Sequence, residues 1–301
     1  MPTLDWIGKR AVLNHHREIP YRLLKCDPAL SAGDPESGNL LVQGDNLLAL
    51  KALLPYYAGK VKCIYIDPPY NTGNEQWVYN DAVNSPEMRR WLGKVVGAEA
   101  EDLSRHDKWL CMMYPRLSLL KDFLTLDGVI FVSIDDNELN NVCILLDEIF
   151  GPRCRLAVLV WKSRHFTDTR PLNGISSDHE YIVVYGRNPG ARLRGKAKDL
   201  SKYSNPDNDP RGPWTSCSLL GKATRDQRPN LHYDFHDPVV GRMFPCPERT
   251  GWICARETME SNAREHKLLY PKKEGGRLRV KVFLSELKSQ YMGFPSVVSN
   301  K

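Results

Sequence analysis

The sequence predicts an α/β domain built on a parallel sheet. Three observations predict it: unbroken apolar runs at 62–66 and 128–134, apolar stretches of helical length between and after them, and an acidic stop at the end of each run. Strands buried on both faces read as continuous apolar runs, whereas strands with one solvated face alternate. Strands alternating with helices place those helices over both faces of the sheet.

Each element follows from local signals. Residues 1–38 read as an irregular N-terminal arm that ends in a Gly/Pro/Asp/Ser-rich stretch from Ser31 to Gly38. Residues 40–43 form the first expected strand, and Asp45 or Asn46 can cap a helix over 47–54. The strand at 62–66 stops at Asp67, because Pro68 and Pro69 cannot continue a central ladder. A polar loop spans 71–85, and helices are expected at 87–96 and 107–126. The second of these carries Leu110, Met113, Leu117, Leu120 and Leu124 at helical spacing. The strand at 128–134 passes through Asp135 and Asp136 into a helix over 139–150, which Gly151-Pro152 ends. A further strand is expected at 181–185.

After Trp161 the texture changes, and 162–280 becomes rich in Pro, Gly, Arg and Trp. This part reads as an inserted recognition region between a core at 39–161 and a return at 281–301, with helical period resuming at 281–287. The hairpin signal in this region is Asp237-Pro238-Val239-Val240-Gly241-Arg242.

With 301 residues, 42% hydrophobic and 26% charged, the composition is that of an ordinary globular protein. No stretch is apolar for the ~18 residues of a membrane span, and the N-terminus lacks a signal-peptide layout. A cytoplasmic location is the expectation. The eight cysteines form no C-x-x-C pair, and Cys63, Cys111 and Cys143 lie in apolar runs suited to buried reduced thiols. His232 and His236 with Cys217, Cys246 and Cys254 match no standard zinc spacing, so no metal is expected. A net charge of +6 permits a polyanionic partner without requiring one.

Asp67-Pro68-Pro69-Tyr70 carries the chemistry. Ligands of an open parallel sheet bind beyond the carboxyl ends of the strands, where this run falls. An aromatic amine is a poor nucleophile because its lone pair is delocalised into the ring. The Asp67 carboxylate and the Pro68 carbonyl can accept both amine hydrogens and localise that lone pair. Proline removes competing backbone donors, and Tyr70 offers a ring on which an extruded base can stack. A strand-ending turn accounts for the same four residues if nothing else surrounds them.

The surroundings resemble a known family. Leu41-Val42-Gln43-Gly44-Asp45-Asn46, then Ile64 to Gly73, His106 to Leu117, Gly128 to Glu138, Glu180 to Tyr185 and Asn205 to Trp214 together look like β-class amino-methyltransferases. They are most similar to modification subunits of type III restriction-modification systems. The resemblance covers roughly 39–295 in family order. It implies a class I S-adenosylmethionine-dependent, Rossmann-like sheet, permuted so that the catalytic half, 39–161, comes first. It implies N6-adenine methylation of double-stranded DNA, with Asp67, Pro68, Pro69 and Tyr70 at the target adenine. Asp45, Asn46 and Asp67 are then expected on the S-adenosylmethionine side, although Asp45 reads equally as a helix cap. Asp135 and Asp136 either shape the base pocket or cap the next helix. DNA contacts are expected from Asn71, Lys162, Arg164, Arg211, Trp214, Arg225 and Arg228, the basic residues with interleaved aromatics.

One element of the family pattern is not found. The sequence contains no Phe-x-Gly-x-Gly run, the loop that cradles the methionine end of the cofactor in this family. The sheet is therefore expected to be incomplete, with a second methyltransferase chain or a restriction subunit as possible partners. Two alternatives stand beside adenine methylation: a catalytically silent DNA-binding fragment, and a cytosine-N4 methyltransferase, a class that more often has Ser at position 67.

Overall fold

The computed structural model describes residues 3–72, 86–96, 104–167, 174–246, 249–271, 273 and 276–299. Residues 73–85 of the polar loop expected at 71–85 lie outside them. The chain forms two compact units, 1–193 with 294–301, and 194–293. In chain order the first unit contains α1 (Lys9–Val12), α2 (His15–Glu18), α3 (Asn46–Tyr57), β1 (Val61–Ile66), α4 (Pro86–Val95), α5 (Arg105–Phe123), β2 (Leu124–Ile134), α6 (Leu139–Phe150), β3 (Arg155–Lys162) and β4 (Glu180–Gly186). The second unit holds β5 (Trp214–Ser218), β6 (Phe235–His236), β7 (Met243–Phe244), α7 (Arg256–Arg264), β8 (Leu268–Leu269) and β9 (Arg279–Phe283), and β10 (Val297–Ser299) rejoins the first.

The main sheet has the order β1-β2-β4-β3-β10. β1 runs parallel to β2 and β10 parallel to β3, but β4 is antiparallel to both its neighbours. The expected all-parallel sheet is thus mixed. A parallel return needs a long crossover, usually a helix. No helix is described between β3 and β4, and the chain comes back antiparallel.

β2 shows why the sheet is buried on both faces. Ile130, Val132 and Ile134 join the larger core, with Trp109, Leu117, Leu145 and Leu146 of α5 and α6. Val129 points the other way, into a smaller cluster with Leu159, Val184 and Ala191. A period of two sends alternate side chains to opposite faces, so an unbroken apolar run serves both.

Several expectations change. Residues 40–43 are not a strand: they have no ladder partner, and Leu40 and Leu41 are 59% and 96% exposed. The long helix stops at Phe123, because Leu124 already pairs with Val61 in β2. Between Leu124 and Val129 the register jumps, and a Cβ at Gly128 would stand 3.0 Å from the Val61 carbonyl. Among the described residues β1 pairs only with β2, and Cys63 and Tyr65 are exposed, so Cys63 is not the buried thiol its apolar run suggested. The N-terminal arm is anchored as well as irregular. It buries Trp6, Val12 and Ile19, and the Lys51 ammonium donates to the carbonyls of His16 and Arg17 at 3.1 and 3.4 Å.

In the second unit β5, β9 and β8 form an antiparallel sheet over a core that includes Leu219, Phe235, Trp252, Met259 and Val280. The helical period expected at 281–287 is instead the end of β9 followed by a short 3-10 turn, Leu284–Glu286. The hairpin at 237–242 forms between β6 and β7, with the Asp237 carboxylate accepting from the amides of Val239 and Val240 at 2.8 and 3.1 Å. Among the described residues no helix is long and apolar enough to cross a membrane.

Candidate active site at the carboxyl end of β1

β1 ends at Ile66, and Asp67-Pro68-Pro69-Tyr70 continues beyond it without ladder pairing. Asp67 is exposed and Pro68 is buried, while Pro69 and Tyr70 are half-buried. The indole N–H of Trp109, a fully buried residue of α5, donates to the Pro69 carbonyl at 2.7 Å. The Tyr70 hydroxyl donates to Glu180 at the start of β4 at 3.1 Å. Burial, with the Asp67 and Glu180 carboxylates beside it, holds that hydroxyl far above its usual titration range. It stays protonated and remains a donor.

Asn71 follows with φ 59°, a left-handed conformation that asparagine tolerates better than most residues. It is 2% exposed, and its amide donates to the Arg105 carbonyl at 3.2 Å and to the Glu138 carboxylate. Glu138 has no exposed surface, and also receives Nδ2 of Asn141 at 2.8 Å and lies 2.6 Å from Nδ1 of His106. Asn71 is therefore turned into the protein, where it is not available to DNA.

Asp135 accepts from the amide and side chain of Asn137 at 2.9 and 2.7 Å, and burial raises its titration above the ordinary carboxylate range. It shapes the turn before α6. The N-cap position itself is Glu138, whose carboxylate faces inward and caps nothing.

Asp45 and Asn46 open α3. The Asp45 carboxylate accepts from the Leu48 amide at 3.0 Å, so the cap reading holds. Arg116 donates to the Asn46 side chain at 2.7 Å and approaches Asp45 at 3.9 Å. The Asp45 side chain is 53% exposed. The second Asp45 oxygen makes only that long contact, so this carboxylate fits as an acceptor for a ligand with donor groups.

The residues singled out for DNA divide into two sets. Lys162, at the end of β3, and Arg164 are exposed, and so are Arg225 and Arg228. Lys222, Gln227, Arg228, Trp252 and Ile253 line a surface cavity of about 540 Å³ in the second unit. Arg211 and Trp214 have other work. Arg211 makes a two-pronged ion pair with Asp209 at 2.8 and 2.7 Å, donates to the Glu265 carbonyl at 2.8 Å and stacks on Phe283. Trp214 donates to Asp207 at 2.8 Å, and Lys281 binds both Asp207 and Asp209. The arginine and lysine partners hold the Asp209 carboxyl well below the usual range. Residue type flagged these two side chains; the acids five and seven residues before Trp214 that claim them are visible in the sequence only as a loop.

Residue pattern also left Trp109, Glu138 and Glu180 without a role. The available signals were a tryptophan on the apolar stripe of α5 and a glutamate directly ahead of α6.

Residues 61–271 match the DNA methylase family of N6 and N4 amino-methyltransferases, and the chain belongs to that family. It is 39% identical over 221 residues to the Mod subunit of the type III restriction-modification enzyme EcoP15I of Escherichia coli, covering 67% of this chain and 33% of the relative. It is 38% identical over 234 residues to the StyLTI Mod subunit of Salmonella typhimurium, covering 72% and 35%. Against the type II methyltransferase M.KpnI of Klebsiella pneumoniae it is 31% identical over 225 residues, covering 73% and 50%. The chain spans about a third of the length of the Mod subunits it matches. Among solved structures, the M1.HpyAVI–SAM complex superposes with a TM-score of 0.32 at 12% identity, covering 55% of this chain and 62% of that one.

Proposed function

We propose that this chain carries the target-base half of a DNA methyltransferase that methylates adenine at N6, in a restriction-modification system. The observation that carries the reading is the Asp67-Pro68-Pro69-Tyr70 run beyond the carboxyl end of β1, with the Pro69 carbonyl already engaged by Trp109 and the Tyr70 hydroxyl by Glu180.

Asp67 and the Pro68 carbonyl accept the two hydrogens of the exocyclic amine and concentrate its lone pair on nitrogen. Tyr70, tethered at its hydroxyl, presents its ring to a base that has left the duplex. S-adenosylmethionine, when bound, supplies an electrophilic methyl group, and Asp45 and Asn46 are the residues here that would hold it. The second unit is the recognition region in this reading. Lys162, Arg164, Arg225 and Arg228 meet phosphates, which fix register without reading sequence. A Res-type restriction subunit and a second methyltransferase chain are the partners this reading allows.

The test, in the enzyme complemented with a second methyltransferase chain, is transfer of labelled methyl groups from S-adenosylmethionine to DNA, followed by nucleoside mass spectrometry. Asp67→Ala should lower kcat on the order of 10²-fold or more while DNA binding persists, because the lost interaction is made mainly in the transition state. N6-methyladenine is the expected product. N4-methylcytosine, or normal turnover by the variant, would refute the assignment.

A further inference from the structure

The segment after the catalytic run is held by a buried polar cluster that base chemistry does not require. Three hydrogen bonds hold the chain just after the reactive pair. Trp109 takes the Pro69 carbonyl at 2.7 Å, and Asn71, two residues on, is pinned by Glu138 and by the Arg105 carbonyl. Both anchors come from the helices that pack behind the site, α5 and the start of α6. Glu138 is a carboxylate with no solvent exposure, a placement that is costly unless its oxygens are satisfied. Three side chains satisfy it: Asn71, His106 and Asn141. Asn71 sits at φ 59°, a left-handed conformation that asparagine tolerates, and its two hydrogen bonds hold the amide inward from there.

We propose that Glu138 and Asn71, with Trp109, form a clamp that aims the Asp67–Pro68 acceptor pair at the amine. Glu138 and Asn71 are positioning residues for the transfer step, and Asn71 makes no DNA contact. The inference rests on the methyltransferase reading for its purpose, but the clamp can be tested without it. Misplacing reacting groups by about 1 Å can cost on the order of 10²-fold in rate without weakening substrate binding.

The test is a reciprocal exchange in the full chain. Asn71→Asp sets two carboxylates against each other, Glu138→Gln removes the charge, and the double variant N71D/E138Q restores a donor-acceptor pair with the roles reversed. The first readout is the Trp109 indole N–H resonance, assigned with Trp109→Phe, which reports whether the Pro69 carbonyl keeps its place. The second is methyl transfer, separated into kcat and KM for DNA. Asn71→Asp should move the indole resonance and lower kcat on the order of 10²-fold with KM for DNA nearly unchanged, and the double variant should recover part of both, because the Arg105 carbonyl still lacks its donor. An unmoved resonance in Asn71→Asp, or no recovery in the double variant, overturns the clamp. If the unmodified protein, complemented with a second methyltransferase chain, transfers no methyl groups, the methyltransferase reading fails while the resonance still decides the clamp.

Discussion

Trp109 offers a measurement in which stability and function separate. Its side chain has no exposed surface, and its indole nitrogen is 2.7 Å from the Pro69 carbonyl. Trp109→Phe keeps most of the apolar volume and removes the hydrogen bond. A net hydrogen bond contributes about 0.5–1.5 kcal/mol, and the smaller ring leaves part of the indole space empty. The expected loss is about 1–3 kcal/mol, adding the unsatisfied carbonyl at the low end of its range. Trp109→Ala removes the ring altogether and should cost about 3–5 kcal/mol. Urea unfolding followed by far-ultraviolet circular dichroism measures both, with methyl transfer assayed on the same samples. Because Pro69 neighbours the acceptor carbonyl of Pro68, the Phe variant should lose a larger share of its kcat than its stability loss accounts for. A Phe variant with full stability and full kcat would refute the role given to this bond. Equal kcat in the Phe and Ala variants would show that the N–H, not the ring, carries the effect on turnover.

Three further outcomes follow from other parts of the molecule. Tyr70→Phe should retain most activity, whereas Tyr70→Ala should lose about 1–3 kcal/mol of base binding, read from 2-aminopurine fluorescence at the target position; identical fluorescence in both would exclude stacking on this ring. His15 and His16 are both held below 6.5 chiefly by burial, and His16 Nδ1 is buried without a hydrogen-bond partner. The folded state prefers them neutral and the unfolded state binds protons more readily, so stability is complete above pH 6.5 and falls as pH drops below it. A His15→Gln/His16→Gln variant should flatten that part of the curve, and an unchanged slope would contradict the assignment. In timed alkylation read by mass spectrometry, the exposed Cys26, Cys63 and Cys217 should react first and Cys111 among the last, since burial pushes its thiol up to about 11; early labelling of Cys111 would show that the arm does not cover α5.

Much of the first unit was legible because its signals are local or periodic. The helix over 139–150 has an apolar stripe and a Gly-Pro stop, and it forms between those residues. The strand at 62–66 is short, apolar and ended by two prolines, and β1 ends there. Asp67 and Tyr70 could be singled out because the chemistry of an amine nucleophile requires those residue types beyond a strand end. The cap at Asp45 was equally visible, since a capping carboxylate and its amide lie three residues apart.

What tertiary structure alone decided was partnership. Whether 40–43 becomes a strand depends on a neighbour to pair with, and propensity cannot supply one. The reversal of β4 depends on which strand it reaches, since its sequence is equally apolar in either direction. Lys281 and Arg211 look like phosphate ligands as residue types, yet Asp207 and Asp209 claim them from 72–74 and 2 residues away. Glu138 lies 67 residues from Asn71, and only the packing of α5 and α6 behind β1 brings the carboxylate to that amide. The chemistry proposed at Asp67 is read from sequence, because reactivity belongs to the residue type. The fold decided which polar side chains remain free to use it, because a hydrogen bond consumed inside the protein is no longer available to a ligand.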